Sequence, residues 1–239
     1  RSRFILIMFE TFQIIGHRGW KAKYPENTIL GFRKAIEAGA NMIEFDVQLT
    51  RDTHLAVFHD QTAKRVCGRN INIGRADRPE LEQLKVFDSD ENIPFLDQVF
   101  DTFTTDVNYY VELKTYKLTT EEQKIKLAYY TFNEIIKHGV QNNTVIVAWE
   151  EGLLNLCRRL GFVNLGVNFE KLPKPFRAKV SCCNHNLIKK PVTEPTYAWT
   201  VNNVRRMKTL LKQNVTGIVT DHVDKLVNIC KEQEVSVGT

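Results

Sequence analysis

No stretch of this 239-residue chain is apolar for long enough to cross a bilayer. Its most conspicuous apolar run, Phe4-Ile5-Leu6-Ile7-Met8-Phe9, falls far short of the roughly 18–20 residues that a spanning helix needs. Cysteine is sparse: Cys67, Cys157, Cys182, Cys183 and Cys230 are odd in number and show no CxxC spacing. That suggests neither a disulfide framework nor a zinc site, and it points to a reducing, cytoplasmic compartment. Neither sign of charge dominates. Lys and Arg total 33 against 28 for Asp and Glu, and without a block of like charges a dedicated nucleic-acid groove is not expected. An anionic small substrate remains compatible with that balance. Internal repeats, low-complexity tracts and obvious linkers are also missing, so the whole of 1–239 reads as one domain. The chain opens on Arg1 rather than Met. Met8, just ahead of the first recognisable strand, is the expected natural start, with 1–12 an extension of the domain. A trimmed membrane anchor upstream is the other reading.

What is present is alternation. Short apolar runs rich in β-branched residues alternate with longer segments of helical period, the pattern of parallel βα units. Eight runs fit strands: Phe12 to Ile15, Met42 to Leu49, Val107 to Leu113, Thr144 to Ala148, Phe162 to Val167, Lys179 to Cys183, Thr196 to Val201 and Gly217 to Thr220. Helices are expected over Thr28 to Ala38, Glu121 to Lys137, Glu151 to Leu160, Asn203 to Gln213 and Val223 to Glu234, with Gly39, Gly139 and Gly161 placed as C-terminal caps. Eight such units without a linker predict an α/β fold, a single closed (β/α)8 TIM barrel. Two regions depart from the simple unit. Pro173, Pro175, Pro191 and Pro195 crowd Phe169 to Tyr197, so helices five and six are expected to shrink to turns or loop. Residues 60–106, between the second and third predicted strands, exceed one crossover and predict a small excursion over the barrel mouth.

Glu44 and Asp46 alternate with Ile43, Phe45 and Val47, so a strand puts both carboxylates on the inward face and the apolar side chains against the outer helices. Glu112 repeats the arrangement on the next predicted strand, with Lys114 on the same face. Carboxylates crowded at low dielectric repel, and a shared proton or a bound cation relieves them. Three hard oxygen donors suit Mg2+ or Ca2+, with Mn2+ also possible. The alternative is a buried salt-bridge network of Glu44, Asp46, Glu112 and Lys114 that fixes the barrel. His17 and His59 each end an apolar run and are expected at strand ends on the catalytic rim. Two imidazoles that exchange protons near neutral pH suit phosphodiester cleavage, which needs one group to deprotonate a nucleophile and another to protonate the leaving alkoxide. Arg18, Lys114 and the cation can neutralise the phosphoryl charge.

The order and spacing of His17-Arg18-Gly19, Tyr24-Pro25-Glu26-Asn27-Thr28, Gly39-Ala40, Ile43-Glu44-Phe45-Asp46-Val47 and Thr50-Arg51-Asp52 to His59-Asp60 resemble the motif of glycerophosphodiester phosphodiesterases. The resemblance continues more loosely through Val111-Glu112-Leu113-Lys114, Ala198-Trp199-Thr200-Val201-Asn202 and Gly217-Ile218-Val219-Thr220-Asp221. It implies metal-dependent hydrolysis of glycerophosphodiesters to glycerol 3-phosphate and an alcohol. By it, His17 and His59 carry the acid and base roles, Glu44, Asp46 and Glu112 hold one divalent cation, and Arg18 and Lys114 contact the phosphate. Glu26 and Asn27 order the loop after the first strand, with Asn27 a candidate N-cap. Trp199 is a candidate wall of the substrate cleft or a core aromatic, and Asp60 a helper of His59 or a local turn residue. The family's usual glycine after Asp52 is replaced by Thr53, and its proline after the last Thr-Asp is absent.

Two other functions compete. One is a lipid-directed relative that cleaves lysophospholipid or phosphatidylglycerol-like head groups, helped to the membrane by the N-terminal apolar run and the mild basic excess. The other is a non-catalytic binding barrel, whose mark would be a lost histidine or metal carboxylate; none is lost here. His54, His138, His185 and His222 are scattered and not assigned to the site. Cys182-Cys183 is expected to pack at a strand end.

Overall fold

The computed structural model describes residues 11–170 and 178–237. The expected start at Met8, and Pro173 and Pro175 of the connection expected to shrink, lie outside those residues. In chain order the strands are β1 (Gln13–His17), β2 (Met42–Leu49), β3 (Leu55–Val57), β4 (Asn108–Leu113), β5 (Thr144–Ala148), β6 (Leu165–Phe169), β7 (Val180–Asn184), β8 (Thr196–Trp199) and β9 (Gly217–Thr220). All except β3 run parallel, and β1 closes the ring by pairing with both β2 and β9. The result is the expected eight-stranded barrel. The extra strand, β3, pairs antiparallel with β2 outside the ring.

The outer layer holds α1 (Ile29–Glu37), α4 (Leu96–Phe103), α5 (Glu121–Lys137), α6 (Glu151–Leu160), α7 (Val204–Leu211) and α8 (Val223–Glu232), while the excursion carries the short α2 (Lys64–Cys67) and α3 (Arg78–Leu81). Local sequence explains their limits. Thr120 and Gln123 form a reciprocal capping box at the start of α5, whose first turn is acidic and whose last residue is Lys137. Gly161 ends α6 at φ 108°, a conformation open to glycine at no steric cost. The cap of α1 differs from expectation. Thr28, not Asn27, accepts the N–H of Gly31, because Asn27 sits at φ 55° with its amide turned toward the barrel. Between β7 and β8 the only helical residues are the 3-10 turn His185–Leu187, as the prolines predicted for the sixth connection.

The barrel interior has two storeys, set by the alternation of each strand. Ile15, Met42, Tyr110, Val145, Val147, Val180, Cys182, Tyr197 and Val219 fill the lower one. Two residues further along the same inward faces stand His17, Glu44 and Glu112, and four residues further along β2 stands Asp46. Outward residues such as Ile43, Phe45 and Val47 are wholly buried against the helices. Burying each contributes about 1.5–3 kcal/mol, so the strands that carry the site are anchored from behind.

Residues 58–95 form the excursion, which has a small core of its own from Ala56, Phe58, Ala63, Val66, Ile73, Leu81 and Phe95. Leu96, Val99 and Phe100 of α4 belong to the main core, so the chain rejoins the barrel there.

Candidate active site

Parallel registry brings the titratable groups together. His17 lies beside Glu44 in the β1–β2 ladder, and Asp46 beside Glu112 in the β2–β4 ladder. Oxygens of Glu44, Asp46 and Glu112 lie within 4.8 Å of one another. Burial first, and then repulsion from Asp46 and Glu112, push the Glu44 carboxyl well above the usual range. Asp46 is held low: burial works against it, but Lys114, Arg18 and His59 outweigh that, and Asn27 donates to its Oδ2 at 3.0 Å. Glu112 accepts hydrogen bonds from Lys114 (2.8 Å), Trp149 (3.1 Å) and Asn168 (3.0 Å), the last oriented by the Tyr110 hydroxyl. The donor set fits a hard divalent cation. Three oxygens within 4.8 Å match about twice the 2.0–2.6 Å metal–oxygen distance of Mg2+ or Ca2+. Glu44 accepts one described hydrogen bond, from the Arg18 backbone N–H at 2.7 Å, so the cluster is not satisfied by its salt bridges alone.

Each histidine is held through Nδ1 by a carboxylate. Asp221, just beyond β9, meets the His17 ring at 2.6 Å and is itself held by Asn202 at 2.7 Å. Asp60 meets the His59 ring at 2.7 Å. An Nδ1–H donated to a carboxylate fixes the tautomer and leaves Nε2 as the exchanging nitrogen. Burial lowers the His17 pKa, the Asp221 hydrogen bond works against it, and Arg18 lowers it further. Burial thus favours the neutral form of this imidazole. Burial disfavours the charged forms of Asp60 and Asp221, yet hydrogen bonds from Arg65 and His59 on the first, and from His17 on the second, take both down to about 2.

His59 reaches the rim by a different route from the expected one. It does not end a ring strand. The antiparallel β3 carries the chain back along β2 until the Phe58 N–H meets the Asp46 carbonyl at 2.9 Å. Gln48, inward on β2, donates to the carbonyls of Phe58 and Asp60, and the Tyr116 hydroxyl donates to that of His59. Three backbone clamps thus substitute for a ladder.

Arg18 and Lys114 are the cations of the rim. Burial opposes their charge, but neighbouring carboxylates, Asp46 foremost, raise both above their usual values. Arg18 donates to Glu26 at 2.8 Å and lies 3.4 Å from Asp46; Lys114 lies 3.5 Å from Asp46. These groups surround a cavity of about 200 Å³. The same cavity is lined by an aromatic corner, Trp149 and Trp199, with ring centroids 5.4 Å apart at 64°. Trp199 therefore faces the cleft, rather than lying wholly in the core.

All eight site residues expected from sequence line this one cavity: His17, Arg18, Glu44, Asp46, His59, Glu112, Lys114 and Trp199. The four scattered histidines do not line it. Cys182 and Cys183 are buried, and burial raises both thiols. Sequence reasoning missed Asp221, Arg65, Trp149 and Asn168 as parts of the site. Asp221 carried a usable signal, since it directly follows the last ring strand, the neighbour of β1.

A rim that joins two carboxylate-held imidazoles, two partly buried cations and an oxygen cluster belongs to an enzyme that cleaves phosphate diesters. The glycerophosphoryl diester phosphodiesterase family matches over residues 17–161 and 194–225. A glycerophosphodiester phosphodiesterase of Caldanaerobacter subterraneus subsp. tengcongensis is 30% identical over 246 residues, spanning 92% of this chain and 98% of that protein. The fold is shared with an Oleispira antarctica phosphodiesterase solved with the product sn-glycerol-3-phosphate, at a TM-score of 0.82 and 18% identity, covering 93% of this chain and 98% of the other. A human lysophospholipase D is 23% identical over 89% of this chain and 84% of its own length. The chain belongs to the glycerophosphoryl diester phosphodiesterase family, and it is a phosphodiesterase.

Proposed function

We propose that this enzyme, a single barrel domain acting in the cytoplasm, hydrolyses soluble glycerophosphodiesters to glycerol 3-phosphate and an alcohol by histidine acid–base catalysis with one divalent cation. The observation that carries this reading is the pair of imidazoles, each held at Nδ1 by its own carboxylate and both lining the cavity of the acid cluster. Arg18 and Lys114, kept charged by their neighbours, face the phosphoryl oxygens and hold the diester across the cavity. One histidine takes the proton of the attacking group; the other donates a proton to the departing alkoxide. Asp60 and Asp221 stay ionised throughout and stabilise whichever imidazolium forms. Glu44, Asp46 and Glu112 would hold a Mg2+, Ca2+ or Mn2+ ion, which when bound supplies further neutralisation of the phosphoryl charge. Trp149 and Trp199 cover the apolar side of the glycerol or alcohol carbons.

The similarity to a lysophospholipase D favours one second reading, removal of the head group from a lysophospholipid. Product analysis separates the two. The enzyme is offered water-soluble glycerophosphocholine beside a lysophospholipid, and released glycerol 3-phosphate and choline are quantified. The reading predicts glycerol 3-phosphate from the soluble diester; turnover of the lysolipid alone would overturn it.

A further inference from the structure

Arg65 does not line the cavity, yet its side chain touches both the Asp60 that holds His59 and the Glu26 that holds Arg18. It lies on the short α2 of the excursion with its side chain 45% exposed. Its Nε donates to Asp60 Oδ2 at 2.6 Å. Its two terminal nitrogens donate to Glu26, Nη1 to Oε2 at 3.0 Å and Nη2 to Oε1 at 2.7 Å. Glu26 is only 5% exposed and passes the interaction on, accepting Arg18 Nη1 at 2.8 Å on the same Oε1. A continuous line of charge-assisted hydrogen bonds therefore runs His59–Asp60–Arg65–Glu26–Arg18. Its ends are 41 positions apart in sequence, one in the excursion and one beside β1.

From this geometry we infer that Arg65 is a positioning residue that fixes the spacing between the His59 imidazole and the Arg18 guanidinium, so that acid–base chemistry and phosphate capture are aligned as one unit. The inference rests on the functional reading above, in which His59 exchanges a proton and Arg18 holds the phosphate. The planar fork of a guanidinium matters here. Three N–H groups engage two carboxylates at once, which an ammonium cannot reproduce in fixed directions. Without Arg65, Asp60 and Glu26 would be two neighbouring carboxylates without their shared counter-ion. Asp60 would be free to turn from the His59 ring, and Arg18 would be held from one side only. Outer groups of this kind are worth about 10–100-fold in activity when removed, although they never touch substrate. A purely structural role, pinning the excursion to the barrel, is the competing account of the same contacts.

The two accounts separate in steady-state kinetics of the full chain, assayed with Mg2+ on a glycerophosphodiester the wild type turns over. Arg65→Ala is expected to lower kcat about 10-fold or more while Tm moves little, because its side chain is largely at the surface. Arg65→Lys keeps the charge but not the fork and is expected to recover only a part. Guanidinium ion added to Arg65→Ala can enter from solvent and is expected to restore kcat severalfold. It should restore much less in Arg65→Ala/Asp60→Asn, where one of its two docking carboxylates, the one that holds His59, is gone. The double variant should also be no slower than the slower single variant, since residues in one line are not additive. Wild-type kcat in Arg65→Ala, full recovery by Lys, or multiplying effects in the double variant would overturn the inference. A His59→Ala enzyme with undiminished kcat would instead overturn the functional reading on which it rests, whatever Arg65 does.

Discussion

The two histidines that line the cavity, His17 and His59, are presented by two regions built on different principles. His17 ends β1, a ring strand paired on both sides, and its partner Asp221 follows β9, the neighbouring strand. Its position is a by-product of barrel closure. His59 arrives on an excursion with a core of its own, along a three-residue antiparallel strand, and is held by Gln48, Tyr116 and the Asp60–Arg65 pair. The difference teaches that the barrel itself positions one of the two carboxylate-held imidazoles, while added polar contacts must position the other. Damage on the His17 side should be buffered by the packed ring, and damage on the His59 side should propagate along hydrogen bonds.

The largest expected effect treats both sides alike. Exhaustive chelation should take hydrolysis to background, with activity restored by Mg2+, Ca2+ or Mn2+, because all three proposed ligands are hard oxygen donors. Full activity in chelated enzyme would remove the cation from the account. A smaller effect singles out the ring side. Asp221→Asn should cost about 10–100-fold in kcat. The Asp221 hydrogen bond and charge favour protonated His17, whereas burial and Arg18 disfavour it. Deleting the carboxylate therefore lowers an already lowered pKa. The limb of the pH–rate profile that belongs to His17 should move toward acid, and a 13C or 15N titration of that imidazole should move with it; a shift toward alkali contradicts the assignment.

The smallest effect belongs to the excursion side. Thr53, in the turn leading into β3, stands at φ 66°, a conformation that β-branched residues rarely adopt. The hydroxyl of Thr50 and the carboxylate of Asp52 hold that turn closed. Thr53→Gly should relieve about 1 kcal/mol of strain, raising Tm by roughly 2–4 °C with kcat unchanged. An unchanged or lowered Tm would show that the turn tolerates threonine without strain.

The same contrast explains what could be read from the sequence. Alternation along β2 and β4 places Glu44, Asp46, Glu112 and Lys114 correctly, since strand period dictates facing and parallel registry aligns neighbours. The prolines around Pro191 also forecast the reduced connection before β8. By contrast, Asp221 meets His17 across 204 positions through ring closure; its place directly after the last strand is legible in the sequence, but the pairing itself has no local signature. Arg65 lies on a four-residue helix with no periodicity to expose its role. His59 was placed on the rim from an apolar run that does form a strand, but one lying outside the ring and running the opposite way. Asn27, read as a cap, spends its amide on Asp46 because a left-handed backbone turns it there, leaving the cap to Thr28.

Shared acid–base work by His17 and His59 is the central claim, and its most direct test compares kcat of His17→Ala and His59→Ala on two diesters. On a glycerophosphodiester with a poor alkoxide leaving group, each variant should lose roughly 10²-fold or more, with smaller changes in KM. On an ester of p-nitrophenol, whose departure hardly needs a proton, the variant lacking the general acid should recover most of its rate and the variant lacking the base should not. Near-native kcat on the natural diester in both variants, each correctly folded, would contradict the account.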